Sequence, residues 1–435
     1  MKSKKMMKNI YLILGLSLSG KAAAFFLLNQ NKKVFAIEDN LKIDDEIKLL
    51  KKQNVKIFGS KDFLNKKVLD AEKIEKVIIS PGFNPNHEIV KFLIKNKIEI
   101  LSEIELGARF LKNKRKRKNF KNKIIAITGT NGKTTLTKLI EHILNENNIK
   151  AKALGNIKIP FTSYLTKIFF NKSQSLKKID ELFILELSSF QLEKMNTKFL
   201  DAAIITNISP DHLDRYPNFQ SYAKAKFNII KCLKNKKNLY ITKKVLKSFI
   251  VKNTKINIKE VKEDVKDIAI KICLDLKIAK KNILNAIKTF KTLEHRLEFV
   301  REIKGVYFYN DSKATNVESV IYAVKKIKKP IILIVGGMDK GFSYKIWNKY
   351  FKDKVKYVLA IGKSSKKIKE DLTGFDVQII KDLNKALKKA FSLAKKEDRV
   401  LLSPGCSSFD MFNNFEHRGE SFKDFVQILG EKYNV

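Results

Sequence analysis

The run from Ile124 to Thr135, IIAITGTNGKTT, most constrains how this 435-residue chain can fold. An apolar segment of strand length ends in glycines, and the apolar residues of Leu136–Leu144 then repeat with a helical period. A strand, a glycine-rich loop and a helix in this order form a phosphate-binding loop, because backbone N–H groups and the helix N-terminus favour an anion. In such a loop Lys133 can reach terminal phosphates and Thr134 can ligate Mg²⁺. The run therefore predicts ATP binding.

The glycine spacing of this loop is shorter than the usual G-x-x-x-x-G-K-[ST] pattern. Only two residues separate Gly129 from Gly132. A plain glycine turn before a helix could look similar. A lysine and a threonine at the start of the helix favour the phosphate loop over that alternative.

The composition, with 44% hydrophobic and 31% charged residues, is that of a globular protein, and the length predicts about three domains. The net charge of +44 comes from 89 Lys+Arg against 45 Asp+Glu, and alone it would favour a nucleic acid, a membrane surface or an anionic substrate as partner. The lysines are spread over nearly every helical stretch, which favours solvated surface, and the densest run, 112–118, indicates a linker. We therefore predict no nucleic-acid partner and no membrane insertion.

The cysteines Cys232, Cys273 and Cys406 form no C-x-x-C pair, which indicates a reducing compartment without a disulfide framework or structural zinc. The first 24 residues imitate a signal peptide, but Gly15–Gly20 interrupts the apolar run and a βαβ pattern follows. No apolar stretch is long enough to span a bilayer. We expect a cytoplasmic monomer.

Short β-rich runs alternate with helical stretches along the chain, which predicts an α/β fold with parallel sheets. The alternation occurs before the phosphate loop and again after residue 297, so we expect a doubly wound domain on each side of the ATP-binding one. The predicted domains are an N-terminal Rossmann-like domain (1–118), a central P-loop ATPase domain (119–296) and a C-terminal Rossmann-like domain (297–435).

In the first domain, Gly15 and Gly20 after one strand and Glu38 at the end of the next are typical of a dinucleotide-binding start. Ser17 stands where the second glycine of that motif would be, so the signal is weak alone. Ser80-Pro81-Gly82 at another strand end is either a further contact or only a turn.

In the central domain, Glu186 ends a buried apolar run and His212 follows another. Carboxyl ends of parallel strands face a common crevice, so Thr134, Glu186 and His212 could converge on metal-bound phosphate. Taken singly, Glu186 could cap a turn, and His212 could be a packed or surface histidine. Lys226 has a solvated helix face as its plain alternative, and only a family argument singles it out.

Three strand ends of the third domain carry polar runs: Asn310–Asn316, Gly336–Gly341 and Ser403–Asp410. Their lysines and hydroxyls suit an anionic small molecule. A set of ordinary βα turns explains the glycines, but it explains the run Asp-Ser-Lys-Ala-Thr-Asn less well.

Taken together, these motifs resemble the Mur ligases over essentially the whole chain. The resemblance rests on Thr128–Thr135, Glu186–Leu192, Asp211–Pro217, Asp311–Asn316 and Asn414–Gly419. The phosphate loop is shared with folylpolyglutamate synthase and so identifies the chemistry, while the other motifs are more specific. They resemble the family members that add D-glutamate to UDP-N-acetylmuramoyl-L-alanine in peptidoglycan precursor synthesis.

The resemblance implies an ATP-dependent amide ligase that works through an acyl phosphate and two Mg²⁺ ions. The implied catalytic residues are Lys133, Glu186, His212, Lys226 and Lys340, with Lys226 carbamylated. The implied metal ligands are Thr134, Glu186, His212 and Lys226. The implied nucleotide contacts are Gly129, Thr130, Asn131, Gly132, Lys133, Thr134, Thr135, Arg296, Asp311 and Lys313.

The same resemblance implies contacts to the two other substrates. These residues are Leu18, Ser19, Glu38, Ser80, Gly82, Asn156, Ser188, Thr315, Lys340, Ser408, Phe409 and Phe415. The chain departs from the family pattern at Glu263–Asp267, where asparagines that help hold the nucleotide are common, and at Phe409, where leucine is frequent.

Two alternatives to this function remain. One is another ligase of the superfamily, either folylpolyglutamate synthase-like or a different Mur ligase. The other is a basic nucleic-acid-binding NTPase, although the sequence has no recognisable nucleic-acid module.

Overall fold

The computed structural model describes residues 9–65, 73–116, 122–170, 181–213, 215–234, 238–249, 257–291 and 293–433. The described residues form three sheets flanked by helices, which confirms the predicted α/β class. The predicted boundary at residues 118–119 and the end of the basic run lie outside the described residues. None of the described helices is both long and apolar enough to cross a membrane.

The first sheet is built from β-α repeats. Its elements are β1 (Ile10–Leu14), α1 (Leu18–Leu28), β2 (Lys33–Ile37), α2 (Asp45–Lys52), β3 (Lys56–Phe58), α3 (Ser60–Asn65), β4 (Ile74–Ile79), α4 (Glu88–Lys95), β5 (Ile100–Ser102) and α5 (Glu103–Lys116). The five strands are parallel in the order β3-β2-β1-β4-β5. The central strand β1 is buried at every residue, as its uninterrupted apolar sequence predicts.

The second sheet contains the phosphate loop. Its elements are β6 (Ile124–Thr128), α6 (Lys133–Glu146), β7 (Ala151–Gly155), α7 (Phe161–Phe170), β8 (Leu182–Glu186), α8 (Ser189–Leu192), β9 (Ala202–Ile205), α9 (Phe219–Phe227), a 3₁₀ turn (Asn228–Cys232), β10 (Leu239–Thr242), α10 (Lys243–Ser248), β11 (Ile258–Val261), α11 (Val265–Asp275) and α12 (Lys280–Thr289). All six strands are parallel in the order β11-β10-β9-β6-β8-β7. Strand β6 therefore lies directly between β8 and β9.

The third sheet has six strands. Its elements are β12 (Glu298–Ile303), β13 (Val306–Asn310), α13 (Val317–Lys326), β14 (Ile331–Gly336), α14 (Trp347–Phe351), β15 (Val355–Ile361), α15 (Ser365–Asp371), β16 (Val377–Ile379), α16 (Leu383–Leu393), β17 (Arg399–Leu402) and α17 (Phe415–Lys432). The strand order is β12-β13-β17-β14-β15-β16. The sequence analysis missed β12, which pairs antiparallel with β13. Lys304 and Gly305 both have positive φ, as a two-residue hairpin turn requires.

The chain divides into two compact units. The first contains the residues up to Ile208 together with Gln220–Phe290, and it includes the first and second sheets. The second contains Ser209–Phe219 and Lys291–Val435, so part of the loop after β9 groups with the third sheet. The boundaries of the three predicted domains stay a prediction.

Buried carboxylates on α5 join the first sheet to elements of the second. Glu103 accepts hydrogen bonds from the backbone N–H of Thr162 and from its hydroxyl at 2.7 Å, next to the start of α7. Glu105 accepts hydrogen bonds from the backbone N–H groups of Asn196 and Thr197. Burial raises the pKa of Glu103 to about 7, although the hydrogen bonds from Thr162 oppose the shift.

We expect Glu103→Gln to weaken the pH dependence of stability. Because the pKa of Glu103 is raised in the folded state, its contribution to the free energy of unfolding is complete below the unfolded-state pKa of about 4.5. That contribution falls by roughly 3 kcal/mol as the pH rises through about 7. Urea denaturation from pH 5 to 8 should therefore show a smaller decline for Glu103→Gln than for the wild type. Glu88→Gln, at an exposed position, is the control, and equal declines in all three proteins would contradict this expectation.

Candidate active site

The loop after β6, residues 129–135, has the backbone of a phosphate-binding loop. Gly129 and Gly132 have positive φ, and Gly132 is the N-cap of α6. A Cβ at Gly129 would collide with the hydroxyl oxygen of Thr206, so glycine is required there. The residues Lys133, Thr134 and Thr135 form the first turn of α6, where the helix favours an anion.

The end of β9 braces this loop through Asn207. The backbone N–H of Thr130 donates to the Asn207 carbonyl oxygen at 2.9 Å. The Asn207 side chain accepts from the backbone N–H of Asn131 at 2.8 Å and donates to the Asn131 carbonyl oxygen at 2.9 Å. The sequence analysis assigned no role to Asn207, although the polar pair Thr206-Asn207 at the end of an apolar run could have indicated one.

Glu186 lies at the carboxyl end of β8 and is 3% exposed. Its Oε1 accepts a hydrogen bond from the Asn156 side chain at 3.3 Å, and the backbone N–H of Asn156 donates to the Glu186 carbonyl oxygen. Its Oε2 is buried and has no hydrogen-bond partner among the described residues. A buried carboxylate oxygen without a partner is costly, so Glu186 is suited to ligate a cation.

Lys226 is buried, with 2% of its surface exposed, so its interpretation as a solvated helix-face lysine is wrong. Its ammonium donates to the carbonyl oxygen of Gly129 at 2.8 Å and lies 4.6 Å from the ring centre of Tyr222. The Tyr222 hydroxyl lies 3.1 Å from that of Thr130. Lys226 therefore contacts the phosphate loop directly.

Other predicted residues of the first unit have local partners. The Lys133 ammonium donates to the carbonyl oxygen of Thr130 at 2.8 Å. Ser188 is the N-cap of α8 and forms a capping box with Gln191. The departure at Glu263–Asp267 also lies beside the loop, because a methyl group of Val265 is 3.2 Å from the position that a Cβ would take at Gly132.

The predicted residues of the first sheet follow the carboxyl ends of β1, β2 and β4. Leu18 and Ser19 begin α1, and Leu18 is exposed. Glu38 accepts a hydrogen bond from the backbone N–H of Leu16 at 2.8 Å. Ser80 donates from its hydroxyl to the Gly15 carbonyl oxygen at 2.7 Å. The structure thus gathers Glu38 and Ser80 at the loop after β1.

In the second unit, hydrogen bonds join the loops that carry the predicted residues. The N–H of Gly405 donates to the Ala314 carbonyl oxygen at 2.8 Å, and that of Met338 donates to the Ser407 carbonyl oxygen at 2.9 Å. The loops after β13, β14 and β17 are therefore held together at one edge of the third sheet.

Asp211, which sequence analysis did not select, links predicted residues of the second unit. Its Oδ1 lies 3.6 Å from the Lys340 ammonium, which donates to the Thr315 carbonyl oxygen at 3.3 Å. Asn316 donates from its side chain to Asp211 Oδ2 at 3.2 Å. Burial opposes ionisation, but the charges of His212 and Lys340 and the bond from Asn316 keep the pKa of Asp211 below its usual value. Asp211 is therefore an anion, and it holds the Lys340 ammonium in place.

His212 follows Asp211 with a positive φ and a partly exposed ring. It belongs to the second unit, whereas Thr134 and Glu186 belong to the first. The convergence of these three residues on one metal site stays a prediction.

Asp311 is enclosed at the end of β13. It accepts hydrogen bonds from the Leu297 backbone N–H at 3.2 Å and the Ser403 hydroxyl at 2.8 Å. Burial raises its pKa to about 7, although the hydrogen bonds from Ser403 and Leu297 and the positive charges of Arg296 and Arg418 oppose the shift. Asp311 can therefore carry a proton near neutral pH.

Four predicted residues lie around the start of α17 and the loop before it. The Lys313 ammonium lies 4.9 Å from the ring centre of Phe415, the first residue of α17. Ser408 is buried, whereas Phe409 is 68% exposed. A contact of Phe409 with a substrate stays a prediction.

Two family models match this chain. The family described as Mur ligase middle domain matches residues 127–310, and the one described as Mur ligase, glutamate ligase domain matches residues 295–406. The first match contains the phosphate loop, Glu186 and Lys226. The second contains Asp311 and Lys340.

Curated relatives match over nearly their whole length. A Protochlamydia amoebophila protein named UDP-N-acetylmuramoylalanine--D-glutamate ligase is 38% identical over 96% of this chain and 98% of its own. Proteins of the same name from Caldicellulosiruptor saccharolyticus and Cytophaga hutchinsonii are 34% and 35% identical, over 96% and 95% of this chain and 98% of their own.

Solved structures show the same fold at low identity. The UDP-N-acetylmuramate-alanine ligase MurC of Thermotoga maritima superimposes with a TM-score of 0.56, at 15% identity over 96% of this chain and 99% of its own. The MurF ligase of Thermotoga maritima, solved in complex with ADP, gives 0.54 at 16% identity over 91% of this chain and 95% of its own. Together with the full-length relatives, these matches establish that the chain belongs to the Mur ligase family.

Proposed function

We propose that this Mur ligase joins D-glutamate to UDP-N-acetylmuramoyl-L-alanine at the expense of ATP. The observation that carries the proposal is the full-length similarity, at 32–38% identity, to relatives named for this reaction. The braced phosphate loop and the polar loops of the third sheet support it. In the cell this reaction supplies a peptidoglycan precursor.

The reaction needs activation, because a carboxylate is a poor electrophile. The carboxylate of the UDP-linked substrate attacks the γ-phosphorus of ATP, which gives an acyl phosphate and ADP. The amine of D-glutamate then attacks the acyl carbon, phosphate leaves, and the amine loses a proton. The chain must position these groups and neutralise charge, and residues 129–135 with Lys133 would do so at the β- and γ-phosphates.

The residues around the phosphate loop suit a divalent cation such as Mg²⁺. The buried Oε2 of Glu186 has no hydrogen-bond partner in the part of the chain that the structure describes, and Thr134 lies on the first turn of α6 as in other phosphate loops. A bound cation would draw electrons from the γ-phosphate and ease the attack. We propose Glu186 and Thr134 for one Mg²⁺, and His212 and modified Lys226 for a second.

We further propose that Lys226 is carbamylated. Its amine and CO₂ would give a carbamate anion and release a proton. The burial of Lys226 against Gly129 supports this proposal, because a carbamate there would be shielded from solvent and would place a negative charge beside the phosphate loop. Such an anion could hold a cation that Glu186 alone leaves under-coordinated.

For D-glutamate we propose Thr315, Lys340, Ser408 and Phe415. Asp211 keeps Lys340 beside the carbonyl oxygen of Thr315, so an ammonium is ready for a substrate carboxylate. Arg296, Asp311 and Lys313 are proposed for ATP. The crevice of Glu38 and Ser80 is proposed for the UDP group. The buried free thiols of Cys232, Cys273 and Cys406 support a cytoplasmic enzyme, and we propose a monomer.

We expect the enzyme to show a clear preference for D-glutamate. Purified protein with ATP, Mg²⁺ and UDP-N-acetylmuramoyl-L-alanine should release phosphate and form the amide fastest when D-glutamate is chosen from a panel of amino acids. Product mass and phosphate release measure the two parts of the reaction. Phosphate release without preference for D-glutamate, or ligation to a folate acceptor instead, would contradict the proposal.

We expect Lys226→Ala to lose activity about a hundredfold, because the carbamate charge is lost. Acetate or formate added in solution should restore part of it. Lys224→Ala changes an exposed lysine of the same helix and should stay close to wild type. A fully active Lys226→Ala, together with an unmodified Lys226 by mass spectrometry, would rule out the carbamate.

We expect Glu186→Gln to lower activity about a hundredfold and to raise the Mg²⁺ concentration needed for half-maximal rate. Because Glu186 Oε2 has no partner, the ligand-free variant should melt no lower than the wild type. The stabilisation that the wild type gains from Mg²⁺ and ATP should shrink. Glu146→Gln, at an exposed position on α6, is the control. An unchanged Mg²⁺ dependence would contradict the proposed ligand.

A further inference from the structure

Arg418 lies on the first turn of α17, and its side chain is fully buried beside the third sheet. The sequence indicates Arg418 only as a member of the family motif Asn414–Gly419 and predicts no role for it. A buried arginine is normally compensated by a carboxylate, because removing a charge from water is costly. The partners of Arg418 are therefore informative.

All hydrogen-bond acceptors of the Arg418 guanidinium are neutral. Its Nε donates to the hydroxyl oxygen of Ser312 at 3.0 Å, and its Nη2 donates to the carbonyl oxygens of Ser312 at 2.8 Å and Cys406 at 3.1 Å. Its Nη1 is buried without a hydrogen-bond partner in the described part of the chain. No described carboxylate lies within ion-pair distance. The charges of Asp311 and Asp410 therefore act on the guanidinium only from beyond ion-pair distance.

The guanidinium touches each loop that carries a proposed D-glutamate residue. Ser312 belongs to the loop with Thr315, and Cys406 belongs to the loop with Ser408. Its Nη1 lies 3.3 Å from the position of a Cβ at Gly337, in the loop that leads to Lys340. A Cβ at Gly337 would collide with the Ser407 carbonyl oxygen and would also crowd the arginine.

A fourth connection leads to the start of α17. The Ser312 hydroxyl accepts from Arg418 and donates to the Phe415 carbonyl oxygen at 2.8 Å. Ser312 therefore links the guanidinium to the backbone of Phe415, which belongs to the same helix as Arg418. A planar group with several donors can fix loops in this way, whereas a single ammonium cannot.

We propose that Arg418 is a positioning residue for the amino-acid substrate. It holds the loops after β13, β14 and β17 at the spacing that a dicarboxylate requires. Its positive charge, which no described carboxylate pairs directly, favours a dicarboxylate substrate over a neutral one. Arg418 acts through these loops and does not itself contact the substrate. This inference rests on the proposed function, since it assumes that D-glutamate binds to Thr315, Lys340 and Ser408.

The test separates binding of D-glutamate from binding of the UDP-linked substrate. Arg418→Lys keeps the charge but loses the fork of donors, so we expect the KM for D-glutamate to rise about tenfold. The KM for the UDP-linked substrate should stay within about twofold, because its proposed contacts Glu38 and Ser80 belong to the first sheet and not to these loops. The KM for ATP is not a control, because Asp311 and Lys313, which are proposed for ATP, flank Ser312. Arg301→Lys is the matched control, since Arg301 also contacts α17, through Gln427 at 2.7 Å, but lies away from the loops.

Ser312→Ala provides a second, milder variant if Arg418→Lys does not fold. It removes the hydroxyl between Arg418 and Phe415 and leaves the backbone acceptors in place, so a rise of about threefold in the KM for D-glutamate is expected. Melting curves of all variants establish whether they are folded.

Two outcomes would overturn the inference. One is an unchanged KM for D-glutamate in a folded variant, and the other is an equal rise of the KM values for D-glutamate and the UDP-linked substrate, as a general loss of structure would cause. A wild-type protein that shows no ligation with D-glutamate would instead refute the proposed function. The two failures are therefore distinguishable.

Discussion

A parallel sheet brings the carboxyl ends of all its strands to one edge, and the central sheet places its chemistry there. Strand β6 lies between β8 and β9, and Ile127 pairs with both Glu186 and Ile204. The phosphate loop thus begins two residues beyond the register of Glu186. Asn207 follows β9 and holds the loop from the other side. The order of the strands therefore places the Glu186 carboxylate on one side of the loop and the hydrogen-bonding Asn207 on the other.

Several polar groups in this protein are buried at a cost to stability, which indicates that they serve function. Within the described ranges, Glu186 has an oxygen without a hydrogen-bond partner and Arg418 has no carboxylate within ion-pair distance. Lys226 is enclosed against a carbonyl oxygen. A chain selected for stability alone would replace such groups by apolar residues. Two of them lie beside the phosphate loop, and one contacts the loops that we propose for D-glutamate. The reaction we propose needs charge at both places.

The sequence predicts much of this arrangement because its strongest signals are local. The strands from Ile10 to Leu14 and from Ile124 to Thr128 follow from uninterrupted apolar runs, and residues 129–135 follow from glycine, lysine and threonine in a fixed order. Strand β12 was missed, because an edge strand with mixed polar residues has a weak period. Its visible signal was the pair Lys304-Gly305.

Long-range burial could not be predicted from the sequence. Lys226 lies in a chain with many surface lysines, and only contacts 97 residues apart in sequence reveal that it is enclosed. Arg418 and Asp211 also depend on partners about 100 residues away. A family resemblance selected Lys226, but it gave no role to Arg418 or Asp211. Their roles follow from which loops the fold brings together.

The central claim is that the buried carboxylate of Glu186 and the phosphate loop form one cation and phosphate site. A crystal structure with a non-hydrolysable ATP analogue and Mn²⁺ tests it most directly, because anomalous scattering locates the metal. We predict a metal peak about 2.1 Å from Glu186 Oε2 and from the Thr134 hydroxyl, with the γ-phosphate as a further ligand. A nucleotide bound at residues 129–135 with the metal elsewhere, and Glu186 still without a partner, would contradict the account.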